Sequence, residues 1–138
     1  PSDLQGTDFY AKRKKDLACK LQKLSSKSRI LAEINKTIDQ NEGITNRFVI
    51  WDEHLLFALR QMIQVLRPKQ IKMILQSIAL DPRDRLSGFP DLFIWKGTEY
   101  WFYEVKSPND HLSEKQLFWL EQFKTWKIKS EIVLVDWL

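Results

Sequence analysis

The chain has 138 residues, of which 43% are hydrophobic and 29% are charged, and its formal net charge at pH 7 is +4. This length fits one domain, and six Trp and eight Phe exclude a wholly disordered chain. No apolar run approaches the roughly 18 residues that a membrane-spanning helix needs. The single cysteine, Cys19, excludes a disulfide framework and a thiolate zinc site, favours an intracellular protein, and is expected to pack as a small buried apolar residue.

The positive charge is concentrated in the N-terminal third of the chain. Residues 1–50 contain 10 Lys and Arg against 6 Asp and Glu, whereas residues 51–138 contain 12 of each. The basic residues include the consecutive run Lys12, Arg13, Lys14 and Lys15. This run indicates an anionic partner, and the alternative is an ordinary solvated helix face.

Apolar residues recur at three- and four-residue steps through the first 80 residues, which predicts helices. The predicted helices span residues 8–24, 28–40, 53–66 and 68–80. The candidate N-caps of the first three helices are Thr7 or Asp8, Ser28, and Asp52. Pro68 suits the first turn of the fourth helix, and the segment 81–88 should interrupt regular structure.

After residue 88 the pattern changes to short strands rich in aromatic residues. The remaining elements are the two strands of a hairpin, a helix and a final strand, predicted at residues 92–95, 100–106, 113–127 and 131–137. Ser113 and Gln116 have the spacing of a capping box at the start of that helix. A strand–helix–strand unit places the final strand parallel to strand 100–106 through a right-handed crossover. The fold class is therefore α/β, with a helical N-terminal part leading into a small α/β core.

Charged side chains converge at one end of the predicted hairpin. Asp91 precedes the first strand, and Glu104 and Lys106 share one face of the second strand because they are two residues apart. The hairpin brings Asp91 back beside that face. Two neighbouring carboxylates repel each other, and a bound divalent cation relieves that repulsion. Oxygen ligands, including the carbonyl of Val105, suit Mg²⁺ or Mn²⁺.

This arrangement fits metal-assisted hydrolysis of a phosphodiester. The metal would activate water and stabilise charge on the phosphate, while Lys106 would orient the water or stabilise the phosphorus centre. The alternative is a solvated strand face beside a Pro-Asp turn. The charges come at the end of the strand, where its face should leave the core, so the charged side chains should be partly exposed. Gly88 and Pro90 should let the backbone approach a ligand closely.

Three sequence blocks resemble the VRR-NUC branch of the PD-(D/E)xK nuclease superfamily. They are GFPDLFIW at residues 88–95, YEVKSPND at 103–110, and LSEKQ at 112–116, followed by Trp119-Leu120. The resemblance implies a restriction-endonuclease-like core, a small mixed sheet with flanking helices, over residues 81–138. A helical segment over residues 1–80 would lead into this core.

Residues upstream of the core resemble, more weakly, the Fanconi-associated nuclease group within this branch. The matching residues are Pro1-Ser2-Asp3-Leu4, Thr7-Asp8-Phe9-Tyr10 with Arg13, and Trp51-Asp52. The chain, which begins at Pro1 without a Met, is therefore expected to be the C-terminal part of a longer enzyme. The remainder of that polypeptide, N-terminal to Pro1, is an expected partner.

The resemblance assigns roles to individual residues. It implies that Asp91, Glu104 and the carbonyl of Val105 bind Mg²⁺ or Mn²⁺, that Lys106 is the catalytic lysine, and that Gln116 supports the site. The family also uses a glutamate on an upstream helix, for which Glu33 and Glu53 are weak candidates here. That glutamate is expected before Pro1, so residues 1–138 alone are expected to be inactive or nearly so.

The resemblance further implies a structure-specific DNA nuclease, a 5′-flap endonuclease or 5′ exonuclease that acts in interstrand crosslink repair. Its partner would be branched or flapped DNA, and no membrane association is expected. The expected phosphate contacts are Lys12, Arg13, Lys14, Lys15, Arg85 and Lys115. An intracellular location follows, nuclear in a eukaryote or in the cytoplasm and nucleoid of a bacterium. Two alternatives are a stand-alone dimeric Holliday-junction resolvase of the same branch and a non-catalytic DNA-binding module.

Overall fold

The computed structural model describes residues 8–44 and 52–136. Within these ranges the chain forms six helices and three strands. The helices are α1 Phe9–Lys23, α2 Lys27–Asn41, α3 Glu53–Val65, α4 Pro68–Leu80, α5 Pro82–Arg85 and α6 Glu114–Thr125. The strands are β1 Leu92–Lys96, β2 Glu99–Lys106 and β3 Ser130–Leu134. No helix in the described ranges is long and apolar enough to cross a membrane.

Side chains cap α2 and α3. Asp52 caps α3 as predicted, because its carboxylate accepts the backbone N–H of His54 at 2.7 Å. The cap of α2 is Ser26, whose hydroxyl accepts the backbone N–H of Arg29 at 3.3 Å. The prediction of Ser28 is therefore wrong. Several serines precede this helix, and apolar periodicity does not decide which of them becomes the cap.

The short helix α5 lies in the segment that was expected to interrupt regular structure. The carboxylate of Asp81 accepts the backbone N–H of Asp84 at 3.2 Å, and Pro82 occupies the first turn. The prediction of irregular structure throughout residues 81–88 is therefore wrong. An Asp followed by Pro is also typical of the start of a helix, and the chain forms a helix here.

The three strands form one mixed sheet in the order β1-β2-β3. β1 and β2 are an antiparallel hairpin in which Leu92 pairs with Tyr103. β3 runs parallel to β2, with Phe102 opposite Ser130. This parallel pairing confirms the predicted strand–helix–strand unit. β3 ends at Leu134, so the prediction that this strand continues through residues 135 and 136 is wrong, and its predicted last residue, 137, lies outside the described residues.

The main core lies between the sheet, α6 and α4. Trp119 and Phe123 of α6 and Leu66, which ends α3, are fully buried, and Phe102 of β2 is nearly so. The rings of Phe102 and Phe123 lie 5.0 Å apart, tilted by 64°. Tilted ring pairs of this kind contribute about 0.5–1.5 kcal/mol beyond the area that they bury. The aromatic residues of β2 and α6 therefore fix the position of α6 over the sheet.

The C-terminal end of α6 is tied to the start of α4 by a buried glutamine. The side-chain amide of Gln70 donates to the carbonyls of Trp126 at 3.1 Å and Lys127 at 2.9 Å. Its carbonyl oxygen accepts the backbone N–H of Arg67 at 2.9 Å. Lys127 has a φ of 56°, so the chain leaves α6 through a left-handed residue. Gln70 satisfies the carbonyl groups that this helix end leaves unpaired.

The N-terminal helices pack outside this core, with α1 against α4 and α2 against α3. Cys19 of α1 is exposed, so the expectation that it is buried is wrong. Cys19 is two residues from both Leu17 and Leu21, and two residues turn a helix by about 200°. Its side chain therefore points away from the half-buried face that those leucines form.

Candidate active site

The charged end of β2 lies on the face of the sheet that carries the core. Tyr100, Phe102, Glu104 and Lys106 alternate along β2 and share this face. Glu104 is only 1% exposed, and the side chain of Lys106 is 12% exposed. The expectation that the charged side chains are partly exposed is therefore wrong for Glu104, while Asp91 is exposed. The face does not leave the core at this end of the strand, because the first turn of α6 covers it.

Asp91 is held against β2 by a hydrogen bond to the main chain. Leu92 pairs with Tyr103, so the antiparallel register extended by one residue places Asp91 opposite Glu104. The Oδ2 atom of Asp91 accepts the backbone N–H of Val105 at 2.9 Å. Asp91 and Glu104 thus lie on neighbouring strands where the hairpin ladder ends, and their joint role as metal ligands stays a prediction.

The carbonyl of Val105 lacks an amide donor opposite it in the hairpin. The carbonyl of Lys106 accepts the N–H of Val135 at 2.8 Å, on the β3 side. Val105, as the neighbouring residue, directs its own N–H and carbonyl toward the β1 side. The residue opposite is Pro90, which has no amide hydrogen to donate. A main-chain oxygen is therefore presented beside Asp91.

Gln116 joins α6 to Glu104 and Lys106 of β2. Its Oε1 atom accepts a hydrogen bond from Lys106 Nζ at 3.0 Å, and its Nε2 atom donates to Glu104 Oε1. Lys106 Nζ also lies 3.2 Å from Glu104 Oε1. The three side chains therefore form a closed set in which each contact joins a donor to an acceptor.

The same glutamine completes the predicted capping box of α6. Gln116 Oε1 accepts the backbone N–H of Ser113 at 2.9 Å, and Ser113 Oγ accepts the backbone N–H of Gln116 at 3.3 Å. The sequence predicted the capping box from its spacing and the supporting role of Gln116 from the resemblance. It did not show that one side-chain oxygen serves both. The only signal was that the capping residue and the motif glutamine are the same residue.

Gly88 lets the loop before β1 lie directly against α6. Its φ is +80°, and a Cβ atom at this position would lie 2.7 Å from the carbonyl carbon of Lys115 and 2.9 Å from the N atom of Gln116. These are backbone atoms of a packed helix, so a side chain here has no room. The close approach predicted for Gly88 is thus made to α6.

Two of the predicted phosphate-binding residues lie on the surface formed by α5 and α6. Lys115 Nζ pairs with Asp84 Oδ1 at 2.9 Å, and both side chains are about half exposed. The hydrogen bond and positive charge of Lys115 lower the pKa of Asp84 from its ordinary value. The guanidinium of Arg85 lies 3.4 Å from the ring centre of Phe118. These two cations therefore flank the start and middle of α6.

The other four predicted phosphate-binding residues lie on α1, which packs against α4. Lys12, Lys14 and Lys15 are exposed, while Arg13 is half-buried with its guanidinium 4.9 Å from the ring centre of Phe9. The basic run therefore occupies a different surface from the site at the end of β2.

The residues at the end of β2 fit a hard divalent cation. Two carboxylates and one ammonium leave a net negative charge, and the Val105 carbonyl adds an oxygen of the type that Mg²⁺ and Mn²⁺ prefer. Within residues 8–44 and 52–136, no third His, Cys, Asp or Glu joins Asp91 and Glu104. Glu33 and Glu53 therefore do not act as the additional carboxylate in this structure.

Comparisons with known proteins identify relatives of nearly the whole chain. The VRR-NUC domain model matches residues 25–137. The chain is 35% identical over 127 residues to the Fanconi-associated nuclease 1 homolog of Oryza sativa subsp. japonica, covering 87% of this chain and 13% of that protein. It is 29% identical over 137 residues to Fanconi-associated nuclease 1 of Homo sapiens, covering 96% of this chain and 13% of that protein. The chain thus spans about one eighth of the length of these curated relatives.

The fold is similar to that of a solved DNA complex. A crystal structure of paFAN1 bound to DNA with a 2-nucleotide 5′ flap and a gap superposes with a TM-score of 0.82 and 26% sequence identity. The match covers 100% of this chain and 26% of the paFAN1 chain. This similarity confirms the predicted fold class, a restriction-endonuclease-like core with a small mixed sheet and flanking helices.

Proposed function

This chain belongs to the VRR-NUC domain family, and we propose that it is the nuclease domain of a structure-specific enzyme that hydrolyses DNA phosphodiester bonds with Mg²⁺ or Mn²⁺. The observation that carries this proposal is that Asp91 is hydrogen-bonded to the main chain of Val105, between the paired Glu104 and Lys106, where the hairpin ladder ends. Relatives named as Fanconi-associated nucleases, and a similar structure bound to 5′-flap DNA, support a 5′-flapped substrate. The proposed role in interstrand crosslink repair rests on the sequence resemblance alone.

Each residue of the site has a distinct part in the proposed reaction. The carboxylates of Asp91 and Glu104 and the carbonyl of Val105 would hold the metal. When bound, the metal acts as a Lewis acid, which lowers the pKa of the water bound to it and stabilises charge on the phosphate. The ammonium of Lys106 has three N–H groups, and its two acceptors here are Glu104 Oε1 and Gln116 Oε1. The third N–H donates to the phosphate oxygen or to the attacking water.

The DNA backbone is held by basic side chains on two surfaces. Lys12, Arg13, Lys14 and Lys15 bind phosphates along α1, and Arg85 and Lys115 bind phosphates beside α6. The pair of Lys115 with Asp84 is exposed and therefore weak, so a phosphate can replace the carboxylate at little cost. Contacts to phosphates are independent of sequence, which suits an enzyme that recognises the structure of its substrate.

Cleavage of 5′-flapped DNA by the full-length protein tests this proposal. Glu104→Gln and Lys106→Ala should abolish cleavage with Mn²⁺, because the first removes a carboxylate ligand and the second removes the donor to the phosphate. The matched control is Glu99→Gln at the other end of β2, where Glu99 forms an exposed pair with Lys129. The control variant should cleave normally. Wild-type cleavage by purified Lys106→Ala protein would refute the proposed site.

A second candidate function is a DNA-binding module without activity of its own. The observation that favours it is that only two carboxylates meet at the site in the described ranges. A segment of a longer polypeptide would supply the remaining carboxylate in the enzyme, and the relatives are much longer than this chain. If the full-length protein binds DNA normally but does not cleave it at saturating Mn²⁺, the binding-module function is the correct one.

A further inference from the structure

We propose that Ser113, the N-cap of α6, is a positioning residue of the nuclease site that acts through Gln116 on Lys106 and Glu104. This inference rests on the proposed function. Ser113 has no charge, and apart from the helical bond of its carbonyl with the Leu117 N–H, the hydrogen bonds that the structure gives it are the two of the capping box with Gln116. Any effect of Ser113 on catalysis must therefore pass through Gln116.

The first step of the argument is that one oxygen atom joins the cap to the site. Gln116 Oε1 accepts from the backbone N–H of Ser113 at 2.9 Å and from Lys106 Nζ at 3.0 Å. The Ser113 hydroxyl in turn accepts the backbone N–H of Gln116 at 3.3 Å. The cap therefore fixes both ends of the glutamine, its main chain and its side-chain amide.

The second step is that the capping box decides which way the amide of Gln116 faces. A backbone N–H can only donate, so the carbonyl oxygen of the amide must face Ser113. Lys106 also only donates, and it meets the same oxygen. The Nε2 group then faces Glu104, whose carboxylate only accepts. The reversed amide would place its NH₂ group against two donors and its oxygen against a carboxylate.

The third step is that water has little access to Glu104, so water cannot readily replace the contact of its carboxylate with Gln116 Nε2. Glu104 is 1% exposed, and its Oε1 atom contacts Gln116 and Lys106. Loss of the Ser113 hydroxyl leaves the backbone N–H of Gln116 without its cap and frees the first turn of α6. The main chain that carries the Gln116 amide then shifts, so Glu104 and Lys106 lose their fixed positions. Removing a residue that orients a metal ligand through a hydrogen bond typically lowers metal affinity or activity by 10–100-fold.

The experiment compares two serine helix caps whose hydroxyls accept a backbone N–H at the same distance, in the full-length protein. Ser113→Ala should lower the single-turnover cleavage rate of 5′-flapped DNA with Mn²⁺ by about 10–100-fold, with an unchanged KM for DNA. Ser26→Ala is the matched control, because Ser26 Oγ accepts the backbone N–H of Arg29 at the same 3.3 Å on α2, outside the site. The control should retain the wild-type rate. Ser113→Thr, which keeps a hydroxyl cap, should restore most of the rate.

A second measurement does not depend on cleavage. Calorimetric titration with Mn²⁺ alone should show weaker binding to Ser113→Ala than to wild type, by about 10-fold, because Glu104 is no longer held. Ser113→Gly provides a second variant that folds, because Gly is well tolerated at an N-cap. It should show the same losses, since it also lacks the hydroxyl.

Three results would overturn the inference. They are wild-type cleavage and Mn²⁺ binding by both Ser113→Ala and Ser113→Gly, an equal loss of rate in Ser26→Ala, and no recovery of rate in Ser113→Thr. The Glu104→Gln variant, measured beside them, separates this inference from the proposed function. If Glu104→Gln is inactive while the Ser113 variants are normal, only the positioning role fails. If Glu104→Gln cleaves normally, the proposed nuclease site itself is wrong.

Discussion

The ammonium of Lys106 and the side-chain carbonyl oxygen of Gln116 lie 3.0 Å apart, which joins the last residue of β2 to the first turn of α6. The same strand face carries Phe102, which packs on Phe123 of the same helix. The helix that completes the core therefore also holds the charged residues of the site. Substitutions at the site should therefore alter stability, and substitutions that displace α6 should alter cleavage.

Glu104→Ala should destabilise the protein strongly, in contrast to the usual gain in stability when charged residues are removed from an active site. Its carboxylate is buried and is paired with Lys106. Removing one partner of a buried ion pair costs about 3–5 kcal/mol. Glu99→Ala, which breaks an exposed pair on the same strand, should cost no more than about 1 kcal/mol. Denaturant unfolding measures both values, and equal costs would contradict the burial of Glu104.

Gly88→Ala should cost more stability than Gly97→Ala. Both glycines have a positive φ, so both substitutions strain the backbone, by about 1–2 kcal/mol. Only at Gly88 does the added Cβ meet a backbone, that of Lys115 and Gln116, and overpacking of this kind adds about 1–3 kcal/mol. Around Gly97 no atom lies within 4 Å of the added Cβ.

The same pair of variants tests whether the contact of Gly88 with α6 matters for catalysis. Gly88→Ala displaces the first turn of α6, and with it Gln116, so cleavage of flapped DNA should also fall. Gly97→Ala should leave cleavage unchanged, because Gly97 lies in the hairpin turn at the other end of the sheet. Equal stability and equal cleavage in the two variants would show that the contact is not needed.

The sequence predicted most of the elements but not how α6 covers the end of β2. Periodicity is a local signal, and it located the four N-terminal helices and the hairpin to within a few residues. The burial of Glu104 depends on α6, which returns over the sheet and is seated against Gly88. A contact between residues so far apart in sequence leaves no periodic trace. The roles of the individual site residues and the domain boundary at residue 80 stay predictions.

Local signals also failed where two of them competed. Asp81-Pro82 is typical of both a turn and a helix start, and the chain forms α5 there. At α2 the choice between Ser26 and Ser28 depends on where the helix begins, which depends in turn on how Ile30 is buried against its neighbours. In both cases the local sequence contains two competing signals and does not decide between them.

Replacing the basic run of α1 should weaken DNA binding without changing its sequence preference. Each phosphate contact that is lost should reduce the slope of log affinity against log salt concentration by about 0.9 on duplex DNA. The variant carries Gln at positions 12, 13, 14 and 15. A control with the same change in net charge carries Gln at four exposed lysines elsewhere, Lys69, Lys96, Lys124 and Lys127. Equal slopes in the two variants would show that the run is only a solvated helix face.

Residues 1–138 alone should fold but bind Mn²⁺ weakly. The folding half of this prediction rests on the core of Leu66, Phe102, Trp119 and Phe123, which lies entirely within the described residues. The binding half rests on the number of ligands, since only two carboxylates meet at the site in the described ranges. Mg²⁺ and Mn²⁺ prefer about six oxygens in near-octahedral geometry, so two carboxylates and one carbonyl leave the ion poorly held. Removal of metal by a chelator should therefore leave the melting temperature nearly unchanged.

The same fragment should leave a 5′-flapped substrate uncut. A poorly held metal leaves the attacking water poorly placed, and a misplacement of about 1 Å can lower a rate by on the order of 100-fold. The measurement is cleavage by residues 1–138 beside the full-length protein at the same Mn²⁺ concentration. Cleavage by the fragment at the full-length rate would mean that the additional carboxylate lies within this chain and joins the site only when DNA is bound. Glu53, at the start of α3, would then be the first residue to replace.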